Sequence, residues 1–302
     1  MRLNSSPATR GSILLTLSST FTCISVVPLA SDIVKDLSSS ANPPKSYAVL
    51  LVTIWELGEA AGPLLIAPLS EILGRYPVMN GANLLFIAGT VLAATSGTVT
   101  QFVVARMLTG LAVAVNVLNP AIVGDIFASE QRGGALSLIY LAPLIGGAVG
   151  PMIGSAVAQS FGWRTVAWMA VALAGGCEVL FLTCFRETYK VAILRKRAAR
   201  VEASSGKRFK TVFDEVEGPV EEGASEGKKL LDAVLRPAIV LFGSGVLMTM
   251  SLFSSVVFTF FYIMTTTLSD ILLDIYKLNP VTVGSCYAVI CRRTPFFHPG
   301  FW

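Results

Sequence analysis

Charge is scarce in this sequence. Asp, Glu, Lys and Arg make up 14% of its 302 residues, against about 25% in an ordinary soluble domain. A soluble globule would lack the polar groups to cover its surface, and a disordered chain or a nucleic-acid binder would need many more. Histidine occurs once, as His298, which removes zinc-binding pairs and histidine-based nucleophile triads. The expectation is therefore of no enzyme, no metal site, no cofactor and no nucleic-acid partner. The five cysteines, Cys23, Cys177, Cys184, Cys286 and Cys291, show no Cys-x-x-Cys spacing. Four of them fall in or near apolar segments and read as small buried hydrophobes, not as a disulfide framework.

What the chain has in abundance is apolar sequence. Hydrophobic residues amount to 53%, and the mean hydropathy is +0.68. No charged residue interrupts Gly11–Ser31, Tyr76–Ala105, Met107–Gly124, Gly133–Trp163 or Pro237–Ser269. A hydrocarbon core about 30 Å thick needs about 20 apolar residues of helix, and these runs lack the alternation of a membrane barrel. Tyr47–Leu69 and Thr165–Phe185, with isolated acids, complete seven expected spans, near 11–31, 47–69, 79–97, 101–124, 134–158, 165–185 and 238–262. Leu278–Cys291 is apolar but short. The fold class is an all-α, multi-pass membrane protein with the lipid bilayer as its solvent.

Basic residues set the orientation. With the N-terminus cytoplasmic, the inner segments hold Arg2, Arg10, Arg75, Arg132 and the twelve Lys/Arg of 186–236, while the outer ones hold Lys35, Lys45, Arg164 and Lys277. This asymmetry follows the positive-inside rule. Arg2 and Arg10 before the first run also fit a signal peptide cut after Ala30, but the run is long for such a core and a retained first helix is the preferred reading. The stretch 186–237 is hydrophilic, with Lys190–Val201 expected as a basic helix against the cytoplasmic leaflet.

Polar residues inside spans cost free energy in lipid and so carry information. The second span holds Glu56 and Glu59, the fourth Arg106 and Asn116, and the sixth Glu178. Glu56 and Arg106 lie at similar depths, so an ion pair facing the bundle interior is expected. A role for Glu56 and Glu59 in ion or substrate passage stands level with simple neutralisation. Glu178, nearer the inner face, reads as a snorkelling residue. Glu71, Gly74, Arg75 and Asp125, with Arg132 close behind, fall at span ends on one face, where Glu71, Arg75 and Asp125 are expected to meet. In the fifth span Gly146, Gly150, Gly154 and Ala158 recur every four residues beside Pro151, a stripe that lets a neighbouring backbone approach closely.

In combination these residues resemble the major facilitator superfamily of secondary transporters, in particular its twelve-helix, fungal-type drug:proton antiporters. Gly62-Pro-Leu-Leu-Ile-Ala67-Pro-Leu69-Ser-Glu71-Ile-Leu-Gly74-Arg75 is similar to the signature of the loop between helices two and three. Arg106-Met-Leu-Thr-Gly110 resembles the fourth-helix motif, and Gly146-Gly-Ala-Val-Gly150-Pro151-Met-Ile-Gly154 the antiporter motif of helix five. Trp163-Arg164, Glu187-Thr188-Tyr189 and Arg236-Pro237 extend the likeness over about residues 11–290. Ala67 and Tyr76 depart from the family's usual glycine and basic residue.

The resemblance implies alternating access between two six-helix halves around a central site. It implies that Glu71 and Arg75 engage Asp125 to hold the halves together at the cytoplasmic face, that Arg106 takes part in proton coupling, and that the helix-five glycines bear on exchange direction. The implied partners are a small-molecule substrate and protons, with Glu56 or Glu59 as candidate proton carrier. Export of drugs, xenobiotics or metabolites across the plasma membrane is the leading expectation. The expected organisation is a complete N-terminal six-helix half at 1–185, a cytoplasmic linker at 186–237 and an incomplete start of the second half at 238–302. In the last of these, the text after Tyr287 leaves the family's pattern, and the transport cycle is expected to be impaired. The alternatives are a facilitator of another solute, such as a sugar or polyamine, and a non-transporting membrane protein, inert or pairing with a full-length relative.

Overall fold

A computed structural model describes residues 7–38, 44–184, 187–205, 235, 239–278 and 282–283. Six helical segments in it are long and apolar enough to cross a membrane, at Thr9–Leu37, Ser46–Leu73, Arg75–Ala94, Val99–Ile126, Ser129–Phe161 and Trp163–Thr183. The protein is an all-α membrane bundle. Four segments, the first, second, fourth and fifth, outrun the expected spans by a few residues, because the helices continue into their polar ends. The third segment instead begins at Arg75, directly after a tight reversal, and ends at Ala94, ahead of Ser96 and Gly97.

The first segment is not one straight helix. α1 (Pro7–Ser25) gives way to a 3-10 turn at Val27–Leu29 that contains Pro28, and α2 (Ala30–Leu37) follows. Although α1 is rich in Ser and Thr, it is buried: Thr9, Ser12, Thr16, Ser18, Ser19, Thr22 and Ser25 are all enclosed. Several of these hydroxyls are satisfied within the helix, as Thr16 donates to the Ser12 carbonyl, Ser19 to Thr16, Thr22 to Ser18 and Ser25 to Thr22. Such back-bonding meets the demand that lipid makes of every buried polar group.

The second and third segments are α3 (Lys45–Leu73) and α4 (Arg75–Ala94). The fourth is composite, with α5 (Val99–Val113), a 3-10 stretch at Ala114–Leu118 and α6 (Asn119–Ile126), whose Pro120 has no N–H to lend an unbroken α-helix. α7 (Ser129–Phe161) and α8 (Trp163–Cys184) complete the bundle. α1 packs between α7 and α8, α3 lies along α5, and α4 bridges α5 and α8. Apolar layers fill the space, one around Leu15, Met79, Ile122 and Phe181, another around Ile33, Leu51, Phe102 and Val166.

Beyond the bundle, α9 (Lys190–Ser205) forms where a basic helix was expected. α10 (Gly245–Asp270) begins after a break at Ser244, whose hydroxyl accepts from the Leu247 N–H. The seventh span expected at 238–262 is not among the six membrane-long segments of the described residues: a helical piece at 239–243 precedes the break, Gly245–Phe260 is a shorter apolar helix, and side chains such as Val246, Phe253 and Phe260 are exposed along it. Most of the expected linker, the stretch Leu278–Cys291 and the tail lie outside the described residues.

The face opposite the α3–α4 turn carries a clasp. Asp36 accepts from Trp163 Nε1 at 3.0 Å and from Arg164 Nη1 at 2.5 Å, and Arg164 Nη2 donates to the Ser96 carbonyl at 3.3 Å. The ends of α2 and α8 and the end of α4 are tied at one point. Both partners of the ion pair are 47% exposed, so water competes for it and Asp36→Ala should cost less than about 1 kcal/mol in a chemical or thermal melt.

Candidate functional site

The α3–α4 reversal builds the first cluster. Gly74 sits at φ 100° and ψ 164°, a conformation open to glycine alone. A Cβ there would also collide with the Glu187 carboxylate. That carboxylate accepts from the backbone N–H of Arg75 at 3.0 Å and of Tyr76 at 3.2 Å, the first free amides of α4. It also accepts from the amides of Thr188 and Tyr189, at 3.1 and 3.0 Å. A negative group at a helix N-terminus satisfies orphan donors and complements the helix dipole. The segment after α8 is thereby latched onto the α3–α4 turn.

Arg75 fills the centre of this cluster and is 8% exposed. Its Nη1 donates to Ser70 Oγ at 2.5 Å, its Nε stands 3.7 Å from Asp125 Oδ2, and its guanidinium lies 4.9 Å from the centre of the Tyr189 ring. The expected meeting of Arg75 with Asp125 is present, as an ion pair too long for a hydrogen bond. Glu71 does not join it. Glu71 is exposed on the outside of α3, about 100° around the helix from the face that carries Ser70. Arg132 serves the adjoining turn, donating to the carbonyls of Phe127 at 3.1 Å and Gly124 at 3.0 Å, and so caps the end of α6.

A second cluster lies between α1, α3 and α5. Arg106 is 4% exposed. It donates to the Cys23 carbonyl at 3.2 Å and to the Leu51 carbonyl at 3.4 Å, with Trp55 at 6.0 Å. The hydrogen bonds of the Arg106 side chain thus go to main-chain oxygens of α1 and α3. Glu56 and Glu59 are half-buried on α3, within electrostatic range of each other.

Asn116, in the 3-10 stretch of the fourth segment, faces α1. Its Oδ1 accepts from Thr16 Oγ1 at 3.1 Å, its Nδ2 donates to Ser19 Oγ at 3.4 Å, and Asn119 Nδ2 donates to Thr16 Oγ1 at 3.2 Å. Glu178 corrects an expectation. It is 4% exposed and accepts from Asn83 Nδ2 at 2.8 Å, so it points into the bundle between α8 and α4 and does not snorkel.

The glycine stripe of α7 meets α1. A Cβ on Gly146 would lie 3.0 Å from the Leu17 carbonyl oxygen, one on Gly150 3.0 Å from that of Phe21, and one on Gly154 2.9 Å from Ser25 Cβ. Pro151 is buried in the same contact. A second close approach, unforeseen in the sequence, joins α3 to α5: a Cβ on Gly58 would come within 2.5 Å of the Met107 carbonyl oxygen, and one on Gly110 would overlap that of Trp55. The four-residue spacing of Gly58 and Gly62 was the available signal. The Glu187 latch was the other omission, since its motif residues were noted without a partner.

The sequence profile of the Major Facilitator Superfamily matches residues 12–291. The chain belongs to this superfamily. Curated relatives include the efflux pump radE of Floropilus chiversii, 30% identical over 271 residues that make up 88% of this chain and 49% of the relative. The MFS transporter cpaT of Aspergillus oryzae is 30% identical over 280 residues, 90% of this chain and 53% of the relative. The superfamily chain described here spans about half the length of the curated relatives it matches. Among solved structures, the human organic anion transporter MFSD10 (TETRAN) aligns with a TM-score of 0.61 at 17% identity, covering 94% of this chain and 69% of that one. A peptide transporter, POT, in complex with sulfate aligns at 0.60 and 17%, covering 91% and 65%. These likenesses establish the facilitator fold of the bundle.

Proposed function

We propose that the protein exports small molecules, drugs, xenobiotics or secondary metabolites, by proton-coupled alternating access, with the six-helix bundle as one of two rocking units. The observation that carries this reading is the Arg75 cluster: a buried arginine joins the ends of α3 and α6 while Glu187 latches the following segment onto the same turn. Such a charged joint at one face, together with close-packed glycine seams, suits a unit that moves as a body. The relatives named as efflux pumps support the outward direction. The positive-inside pattern supports a cytoplasmic N-terminus, with the Arg75 cluster on the inner face and the Asp36 clasp outside. The plasma membrane is the proposed location, and the bundle, the linker at 186–237 and the segment from 238 onward are the proposed functional units.

Within this reading Glu59 and Glu56 are the candidate proton carriers, and Arg106 fixes the electrostatics around them. Glu71 stands on the surface, available to a second unit. The test is efflux of a cationic dye from cells producing the protein, with and without an imposed pH gradient. Dye retention below that of vector controls, and dependent on the gradient, is expected; Glu59→Gln should remove the dependence. Retention equal to the controls under every gradient would overturn the proposal.

A further inference from the structure

One buried acid is not used by the transport reading above. Glu178 has one carboxylate oxygen, Oε2, bonded to Asn83, and the other, Oε1, is buried without a hydrogen-bond partner. Asn83 is itself 8% exposed. A carboxylate is an acceptor with about four lone-pair sites, so a single amide donor leaves its charge largely unsolvated within the bundle. A carboxylic acid makes a smaller demand, and its O–H needs one acceptor.

Asn83, the partner of Glu178, also lines a small cavity between α1, α4, α5 and α8, with room for about one water molecule, in which Ser18, Ser19, Asn83 and Asn116 are the polar members of a mostly apolar wall. Beyond it the polar path continues through Asn116 to Thr16 and Asn119. The surrounding elements bring no cation to Glu178 among the described residues. From α4, Arg75 is committed to Ser70 and Asp125, and Tyr76 stacks its ring on Phe181, one turn along α8 from Glu178. Cys177 donates its thiol to the Leu14 carbonyl. α1 turns hydroxyls towards this region and holds Arg10 exposed at its start, while Tyr140 of α7 is exposed.

We infer that Glu178 is a proton-binding site, a carboxyl group that takes up and releases a proton through the Asn83-lined cavity. The role of this proton in a transport cycle rests on the coupling proposed above; the binding itself does not. Infrared spectra of the whole protein in lipid nanodiscs, recorded in H2O and D2O over a pH series, read it directly. A protonated-carboxyl band that shifts in D2O should be present in the wild type, persist in Glu59→Gln and vanish in Glu178→Gln. Asn83→Ser should displace the band by removing the amide donor. If Glu178→Gln fails to assemble, Asn83→Ser alone decides: a displaced band upholds the site and an unmoved one overturns it. Identical spectra for wild type and Glu178→Gln would also overturn it. Absence of dye efflux in all forms would count against the transporter reading and leave the band result standing.

Discussion

Gly110→Ala should destabilise the bundle by about 1–3 kcal/mol or more, a large effect for adding one methyl group. The new Cβ would overlap the Trp55 carbonyl oxygen and crowd the backbone around it. Main chain cannot swing aside as a flexible side chain does, so α3 and α5 must separate along their length. Gly154→Ala should cost less, because its Cβ meets Ser25 at 2.9 to 3.0 Å and α1 needs to yield by only tenths of an ångström. Gly81→Ala should have the opposite sign. Nothing lies within 4 Å of a Cβ at Gly81, and replacing a mid-helix glycine by alanine gains about 0.5–1 kcal/mol. Melting temperatures by fluorescence-detected size exclusion in detergent would rank the three. A flat series, with Gly110→Ala as stable as Gly81→Ala, would contradict the close approach of α3 and α5.

Glu187→Gln should produce the second large effect. Four backbone N–H groups converge on this carboxylate, and a glutamine would turn a donor towards amides that need acceptors. The loss should be roughly 1.5–3 kcal/mol, the range for hydrogen bonds to a charged group. It should be local: backbone amides at Arg75 and Tyr76 should exchange with deuterium much faster, while amides in α5 stay protected. Arg75→Lys should be nearly as harmful at the same turn. An ammonium cannot keep the contact with Ser70 and the approach to Asp125 while lying flat over Tyr189. Unchanged exchange at Arg75 and Tyr76 in Glu187→Gln would show that the latch does not hold the turn.

The bundle was legible because its evidence is one-dimensional. A stretch such as Gly133–Trp163 without one charge announces a span, and glycines at 146, 150 and 154 announce a close contact whatever the neighbour. The contents of the interior were less legible, because they depend on rotation about each helix axis. The depth of Arg106 in its span was readable, but not that its guanidinium would bond the carbonyls of Cys23 and Leu51. Glu71 lies next to Ser70 in sequence, but successive helical positions point about 100° apart; Ser70 faces Arg75 and Glu71 faces outward. Glu178 looked peripheral by its distance from the helix end, a measure blind to the amide of Asn83 on a neighbouring helix. Glu187 acts on residues 112 positions earlier in the chain, a relation that no local pattern encodes.

The hydroxyls of α1 have a mechanical consequence. Ser19, Thr22 and Ser25 spend their protons on carbonyls of their own helix, and across the seam Gly146, Gly150 and Gly154 bring bare main chain close. None of these three bonds crosses the seam, so what holds α1 to α7 there is dispersion and shape. That seam therefore resists displacement through fit alone, because the Arg75 and Asp36 ion pairs join other pairs of segments.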